Sequence, residues 1–155
     1  MNLKNIIQSQ YESALEMLAE SIQKCPDDTW NNPADENPTW KIAYHAIFIA
    51  HLYLQQSLEN FVPWEKHHDP ETGVPFTRQE VLEFLIFVKE QVSEKLPDTN
   101  MDAQSGFDWL PFTKLELQIY NIRHIQQHVG ELFERLGSRD KVVLNWVSLP
   151  TKQEN

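Results

Sequence analysis

His124 and His128 stand four residues apart in a segment whose apolar residues recur every three to four positions. An α-helix turns once in about 3.6 residues, so the two imidazoles project from one side, one above the other. A pair at this spacing can grip a divalent ion from a single helix. A third ligand must come from another segment. His45 is the candidate, because it lies in the most apolar stretch, Ile42 to Leu54, where an unpaired imidazole needs a reason to be present. Three neutral imidazoles would leave coordination positions open for water or substrate, as in catalytic zinc sites. Nickel, iron or manganese would also be tolerated, since imidazole is not selective. Each signal alone has an ordinary alternative: helical His pairs arise without a metal, and a single buried His is commonly a hydrogen-bonded core residue. The His124/His128 stripe includes Leu117 and Asn121, at the edge of an apolar face centred on Ile122, Val129 and Leu136. Glu131, one turn beyond His128, reads either as a base or hydrogen-bond partner or as a solvated charge.

The remaining chemistry-bearing residues point elsewhere. His51 is six residues from His45 and faces away from it. His67 and His68 fall in a Pro-rich loop and read as solvated. Glu65 and His68 have Glu-x-x-His spacing, but in loop sequence and without a second copy, which argues against a carboxylate-bridged di-iron site. No His-Glu-x-x-His motif or nucleophile elbow occurs, and four glycines are too few for a phosphate-cradling loop. Cys25 is the sole cysteine, which excludes an internal disulfide and a Cys-based zinc cluster; it reads as an unreactive thiol at a helix end. Trp40, Trp109 and Trp146 read as core or interface rather than pocket walls.

Four helical segments must position the histidines, over residues 3–24, 38–61, 77–96 and 113–136. In the first, Ile7, Tyr11, Leu15, Leu18 and Ile22 share a face, and Cys25-Pro26-Asp27-Asp28 ends it. Asn37 is the expected N-cap of the second, with Pro38 at its first position. Thr77-Arg78-Gln79-Glu80 and Thr113-Lys114-Leu115-Glu116 read as capping boxes opening the third and fourth. Gly137 is the expected C-terminal cap of the fourth. The tail from Val142 to Val147 is β-prone and is expected to pack back on the helices. The chain of 155 residues suits one domain, and helices of about 20 residues with long loops at 62–76 and 97–112 predict an all-α, antiparallel four-helix bundle.

Bulk composition narrows the partners. A net charge of −10 with only 13 basic residues argues against nucleic acid and anionic membrane surfaces. No segment is long and apolar enough to span a bilayer, and Met1-Asn2-Leu3-Lys4-Asn5 lacks a signal-peptide pattern, so a cytoplasmic location is expected.

The segment Asn121-Ile122-Arg123-His124-Ile125-Gln126-Gln127-His128-Val129-Gly130-Glu131-Leu132 resembles the fourth-helix signature of the DinB/YfiT-like superfamily. Trp40-Lys41-Ile42-Ala43-Tyr44-His45-Ala46 resembles its second-helix signature, and the likeness in helix order runs roughly from Leu3 to Leu136. The resemblance implies an up-down-down-up bundle, frequently a homodimer, with a metal held by one His of helix 2 and two of helix 4, here His45, His124 and His128. It further implies metal-dependent transferases and isomerases that use a low-molecular-weight thiol. Tyr120, Asn121 and Arg123 then become, by position only, candidates for holding the thiol. The first reading is a thiol-dependent S-transferase acting on small electrophiles. The alternatives are a metal-dependent hydrolase with Glu131 as base, or a non-catalytic metal- or ligand-binding dimeric module.

Overall fold

In the computed structural model, which describes residues 2–151, the long elements are helices whose ends are set by identifiable polar contacts. Helix α1 spans Leu3–Lys24 and is capped by the Asn2 carboxamide, which accepts from the Lys4 and Asn5 amides. A short helix α2 (Asp27–Trp30) follows, in a stretch that reads as a simple break in the sequence. Helices α3 (Thr39–Tyr53), α4 (Arg78–Lys95) and α5 (Lys114–Asp140) complete the set. Both capping boxes form, Thr77 with Glu80 and Thr113 with Glu116. Among the described residues there is no strand, only an isolated bridge between Gln104 and Thr113.

The core is built where α1 packs on α4 and α5 and α3 packs on the same two helices. Leu15, Leu18 and Ile22 of α1 meet Phe84, Val88 and Val92 of α4 and Ile125, Val129 and Leu132 of α5, all fully buried or nearly so. Each such side chain contributes about 1.5–3 kcal/mol on removal from water. Helix α3 presents Ala43, Ala46 and Ala50 inward, and these small residues let its backbone approach its neighbours closely. Along α1 and α5 the contacts run in the same order: Tyr11 donates to Gln118 at 2.7 Å, and Met17 meets Gln126. Along α3 and α5 they run in opposite order, Ala50 meeting Asn121 and Tyr53 meeting Gln118.

Three expectations are corrected. The second helix stops at Tyr53, not residue 61: its last carbonyls are taken by side chains, Ala50 O by Asn121, His51 O by Gln55 and Tyr53 O by Gln118, and the chain just beyond is held by Lys114. Lys114 Nζ donates to Gln55 O at 2.9 Å, to Gln56 O at 2.7 Å and to Ser105 O, while Gln55 Nε2 turns back to His51 O at 2.8 Å. The loop backbone presses onto this junction so closely that a Cβ on Gly106 would lie 2.1 Å from Gln56 O. At the other end of α3, Asn37 is not the cap: Pro38 precedes the first helical residue without a side-chain bond, and the Asn37 carbonyl accepts from Arg135 at 2.8 Å. Helix α5 runs past Gly137 to Asp140 and closes at Lys141, a non-glycine residue with φ 58°. Its last turn is held across the 31–38 loop by the Arg139–Asp35 pair at 2.6 Å and by Thr29 donating to Asp140 at 3.0 Å. The tail forms no strand, having no sheet edge to join. As expected, it packs back on the helices: Val142, Leu144 and Val147 lie against the core, and the Asn145 and Thr151 amides donate to Glu20 and Glu16 of α1.

The buried stripe of α5 also differs from the expected one: it runs through Leu117, Asn121, Ile125, Val129, Leu132 and Leu136, with Ile122 only partly buried. On α3, His51 is 2% exposed, ringed by Phe61, Phe84 and Phe87, and its Nδ1 has no hydrogen-bond partner. Burial, with the nearby Lys95 ammonium, pulls its pKa down to about 4.

Two outcomes test this account. Lys114→Met leaves three carbonyls unpartnered and should cost about 2–4 kcal/mol in urea unfolding, against about 1 kcal/mol for Thr113→Ala. Because the folded state holds His51 neutral, the unfolded state binds more protons between the ordinary value of 6.5 and about 4. Stability should therefore fall as pH drops through that window, and His51→Phe should flatten the dependence by on the order of 2 kcal/mol relative to the parent protein.

Candidate metal centre

His45 projects from α3 towards α5, where His124 and His128 lie one turn apart. One ligand nitrogen from each falls within 4.8 Å of the other two. The Nε2 atoms of His124 and His128 stand 3.2 Å apart, and the His45 ring meets both partners edge-on with centroids 5.2 and 5.0 Å away. Nitrogens bound about 2.0–2.1 Å from a tetrahedral ion lie about 3.3 Å from one another, so the His124–His128 spacing matches two adjacent ligands of one ion.

The charge states also suit ligation, which needs neutral imidazoles. Burial, then the His128 and His45 rings, pulls the His124 pKa down to about 4. Burial and His128 lower that of His45 in the same direction. His128 Nδ1 lies 3.1 Å from a carboxylate oxygen of Glu131. A carboxylate only accepts, so Nδ1 carries the proton and the lone pair of Nε2 faces the other two rings. His124 Nδ1 is buried and has no partner, so the ring is held by packing and by whatever its Nε2 engages. These donors fit a divalent ion.

The frame behind the triad is set by α5. Asn121, one turn before His124, is fully buried and donates to Ala50 O at 3.1 Å, which ties α5 to α3 beside the site. Tyr120 packs between Tyr53 and Phe112, and Arg123 is exposed on the turn that carries His124. Glu131 is exposed and engaged with His128. His45 departs from expectation: it sits on the solvent side of α3, since Ala43, Ala46 and Ile47 fill the core side. A helix apolar on nearly every side does not disclose which side its neighbours cover.

Sequence reasoning missed the cleft that opens beside His45. It has a volume of about 320 Å³ and is lined by Lys41, Tyr44, Phe48, His67 and the Asp69–Glu71 turn. His67 is half-buried rather than solvated: its Nδ1 meets the Tyr44 hydroxyl at 2.5 Å and its ring stacks on Phe48. His68 likewise lies flat on Phe76, with centroids 3.7 Å apart. The 62–76 loop folds back onto α3 because Tyr44 and Phe48 offer flat apolar faces to its Phe76 and His67, a long-range stacking that local periodicity cannot register. Lys41 pairs with Glu71 at 2.7 Å across the cleft mouth.

Other features stand apart from this chemistry. A larger concavity of about 610 Å³ lies between α1 and α4, walled by Glu12, Glu16, Lys89 and Glu90, with no ligating cluster. Trp40 is buried and donates to Asn31, while Trp109 and Trp146 are largely exposed; none lines the cleft by His45. Cys25 is buried, and desolvation pushes its thiol up to about 11, which leaves it protonated and unreactive at neutral pH.

No described helix is long and apolar enough to cross a membrane. No curated protein and no solved structure matches the chain. Residues 10–132 match the DinB superfamily, a span that takes in α3, most of α5 and all three histidines. The chain therefore belongs to the DinB superfamily.

Proposed function

We propose that His45, His124 and His128 hold one divalent ion, and that the protein is a thiol-dependent S-transferase acting on small electrophiles. The observation that carries the metal reading is the 3.2 Å approach of two imidazole Nε2 atoms, one of them held in the ligating tautomer by Glu131. Zinc, nickel, iron and manganese all suit three imidazoles. When bound, such an ion would supply an electrophilic centre that favours the thiolate form of a thiol. The chain's own residues divide the remaining work. Glu131 fixes the His128 ring. Arg123, on the exposed side of α5, stands ready for a polar arm of the thiol, with Tyr120 one turn before it, while the buried Asn121 amide keeps α5 in register. The cleft beside His45 supplies Phe48 as an apolar wall and the Tyr44–His67 pair as a polar one for the electrophile.

Hydrolysis is the second reading. Only one Glu131 oxygen is engaged, by His128, and the carboxylate is exposed, so the other oxygen is free to take a proton from water. A non-catalytic binding module is the third, and it would show a filled coordination sphere. The reading extends to the whole molecule: one domain across 1–155, a four-helix bundle of the up-down-down-up kind, favoured over one antiparallel throughout by the parallel α1–α5 and antiparallel α3–α5 contacts, and a cytoplasmic homodimer as the superfamily resemblance implies.

Elemental analysis of tag-free protein should find about one divalent ion per chain, lost in the His124→Ala/His128→Ala variant. Absence of metal after reconstitution with zinc, nickel and manganese would sink the site. Glu131→Ala should weaken metal affinity by about 10–100-fold with the fold intact by circular dichroism. Conversion of an electrophile such as a haloaromatic should require added thiol; ester cleavage without thiol would instead select the hydrolase.

A further inference from the structure

On the face of α3 turned away from His45, a second cleft of about 510 Å³ lies between α3, α4 and the 60–65 segment. His51, Phe87 and Trp64 line it together with Lys95 and Asn60, and Glu65, an exposed residue, is the one carboxylate in the lining. The aromatic part is well ordered by stacking: Trp64 lies on Phe84 at 4.8 Å, and His51 meets Phe84 and Phe87 edge-on. Its volume is that of a small-molecule site, within the range of roughly 300–1,000 Å³ typical of such pockets.

Two polar groups in this cleft are left short of partners. His51 is 98% removed from solvent by its 2% exposure, yet Nδ1 has no partner and the imidazole makes no side-chain hydrogen bond among the described residues. A buried polar group in that state is costly unless something answers it. Lys95 is partly buried, and desolvation lowers its pKa. It forms no ion pair among the described residues, although acidic residues outnumber basic ones 23 to 13. Its ammonium donates only to Gln55 Oε1, and the nearby Glu94 carboxylate is bonded by Gln91 instead. Lys114, by contrast, satisfies all three of its donors on backbone carbonyls. Lys95 thus keeps two N–H donors at the edge of an aromatic cleft.

We propose that this cleft is a binding site for a small carboxylate carried on an apolar, preferably aromatic, body. The carboxylate would take the free donors of Lys95, with Asn60 beside it, and the apolar body would lie against Phe87, Trp64 and the His51 ring. An ammonium bonded to a carboxylate, and a ring packed edge-to-face, match the free Lys95 donors and the aromatic wall of the cleft. The assignment is independent of the metal reading, since His51 and His45 lie on different sides of α3.

Benzoate is the probe. Titrated into the protein as purified, it should bind saturably at one site with a Kd between about 10 µM and 1 mM, and it should shift the His51 ring resonances. Lys95→Gln, a change at a partly exposed position, should weaken binding by about tenfold or more. Benzyl alcohol, the same ring without the charge, should be weaker by a similar factor on the unaltered protein, so the comparison does not depend on any variant folding. The His124→Ala/His128→Ala variant should bind benzoate as the parent does. No saturable binding up to about 10 mM, equal binding of benzyl alcohol, or loss of binding in the His124→Ala/His128→Ala variant would each overturn the proposal.

Discussion

The hydrogen bond from the Asn121 carboxamide to the Ala50 carbonyl is the contact on which the site depends. It crosses the seam between α3 and α5 in a fully buried setting, where few other polar groups could receive it. The rest of that seam is apolar and small on the α3 side, with Ala43, Ala46 and Ala50. Such a surface would tolerate sliding, because apolar packing is not directional. A slip of one helical turn moves a residue about 5.4 Å along the axis, more than the whole separation of the three ligand nitrogens. A buried amide that must find one particular carbonyl forbids the slip, in the way a single buried Asn fixes register between paired helices. The Gln118 side chain adds a second tie, accepting from Tyr11 of α1 and donating to Tyr53 of α3.

At the end of the molecule beyond Tyr53, a buried cation does comparable work. Lys114 opens α5, and its ammonium takes the Gln55 and Gln56 carbonyls just beyond α3, where the chain leaves the helix. A positive charge at a helix C-terminus is also favoured by the helix dipole. The same ammonium holds Ser105, so the 97–112 loop is drawn over the junction, and Gly106 fits there because a larger residue would collide with Gln56. With Arg135 donating to Asn37 and Thr39 where α3 begins, the two helices that carry the triad are fixed to each other at both ends by polar groups within an apolar frame.

Much of this was legible in the sequence. The spacing of His124 and His128 fixes their common face by helical geometry alone, and the two Thr-x-x-Glu segments announce helix starts because both halves of each capping box are local. What was not legible depends on distant partners. At the end of α3, the Ala50 and Tyr53 carbonyls are taken by Asn121 and Gln118 of α5 and the chain beyond by Lys114; the extension of α5 past Gly137 is decided by Asp35 and Thr29; the burial of His67 and His68 is decided by aromatic faces on α3 and on Phe76. The exposed position of His45 escaped for a related reason. Hydrophobic pattern reports which residues can be buried, and α3 has more of these than its neighbours can cover.

That exposure separates the site from the fold. None of the three histidines belongs to the buried core, which closes on leucine, isoleucine, valine, alanine and aromatic side chains without them. In a small metal-nucleated domain the apo chain is unfolded, because ion binding and folding are one equilibrium. Here they would be two. An ion held by the triad could leave with the helices standing, so its occupancy would follow the supply and affinity of the ions around the protein, and a chelated sample would remain a folded one.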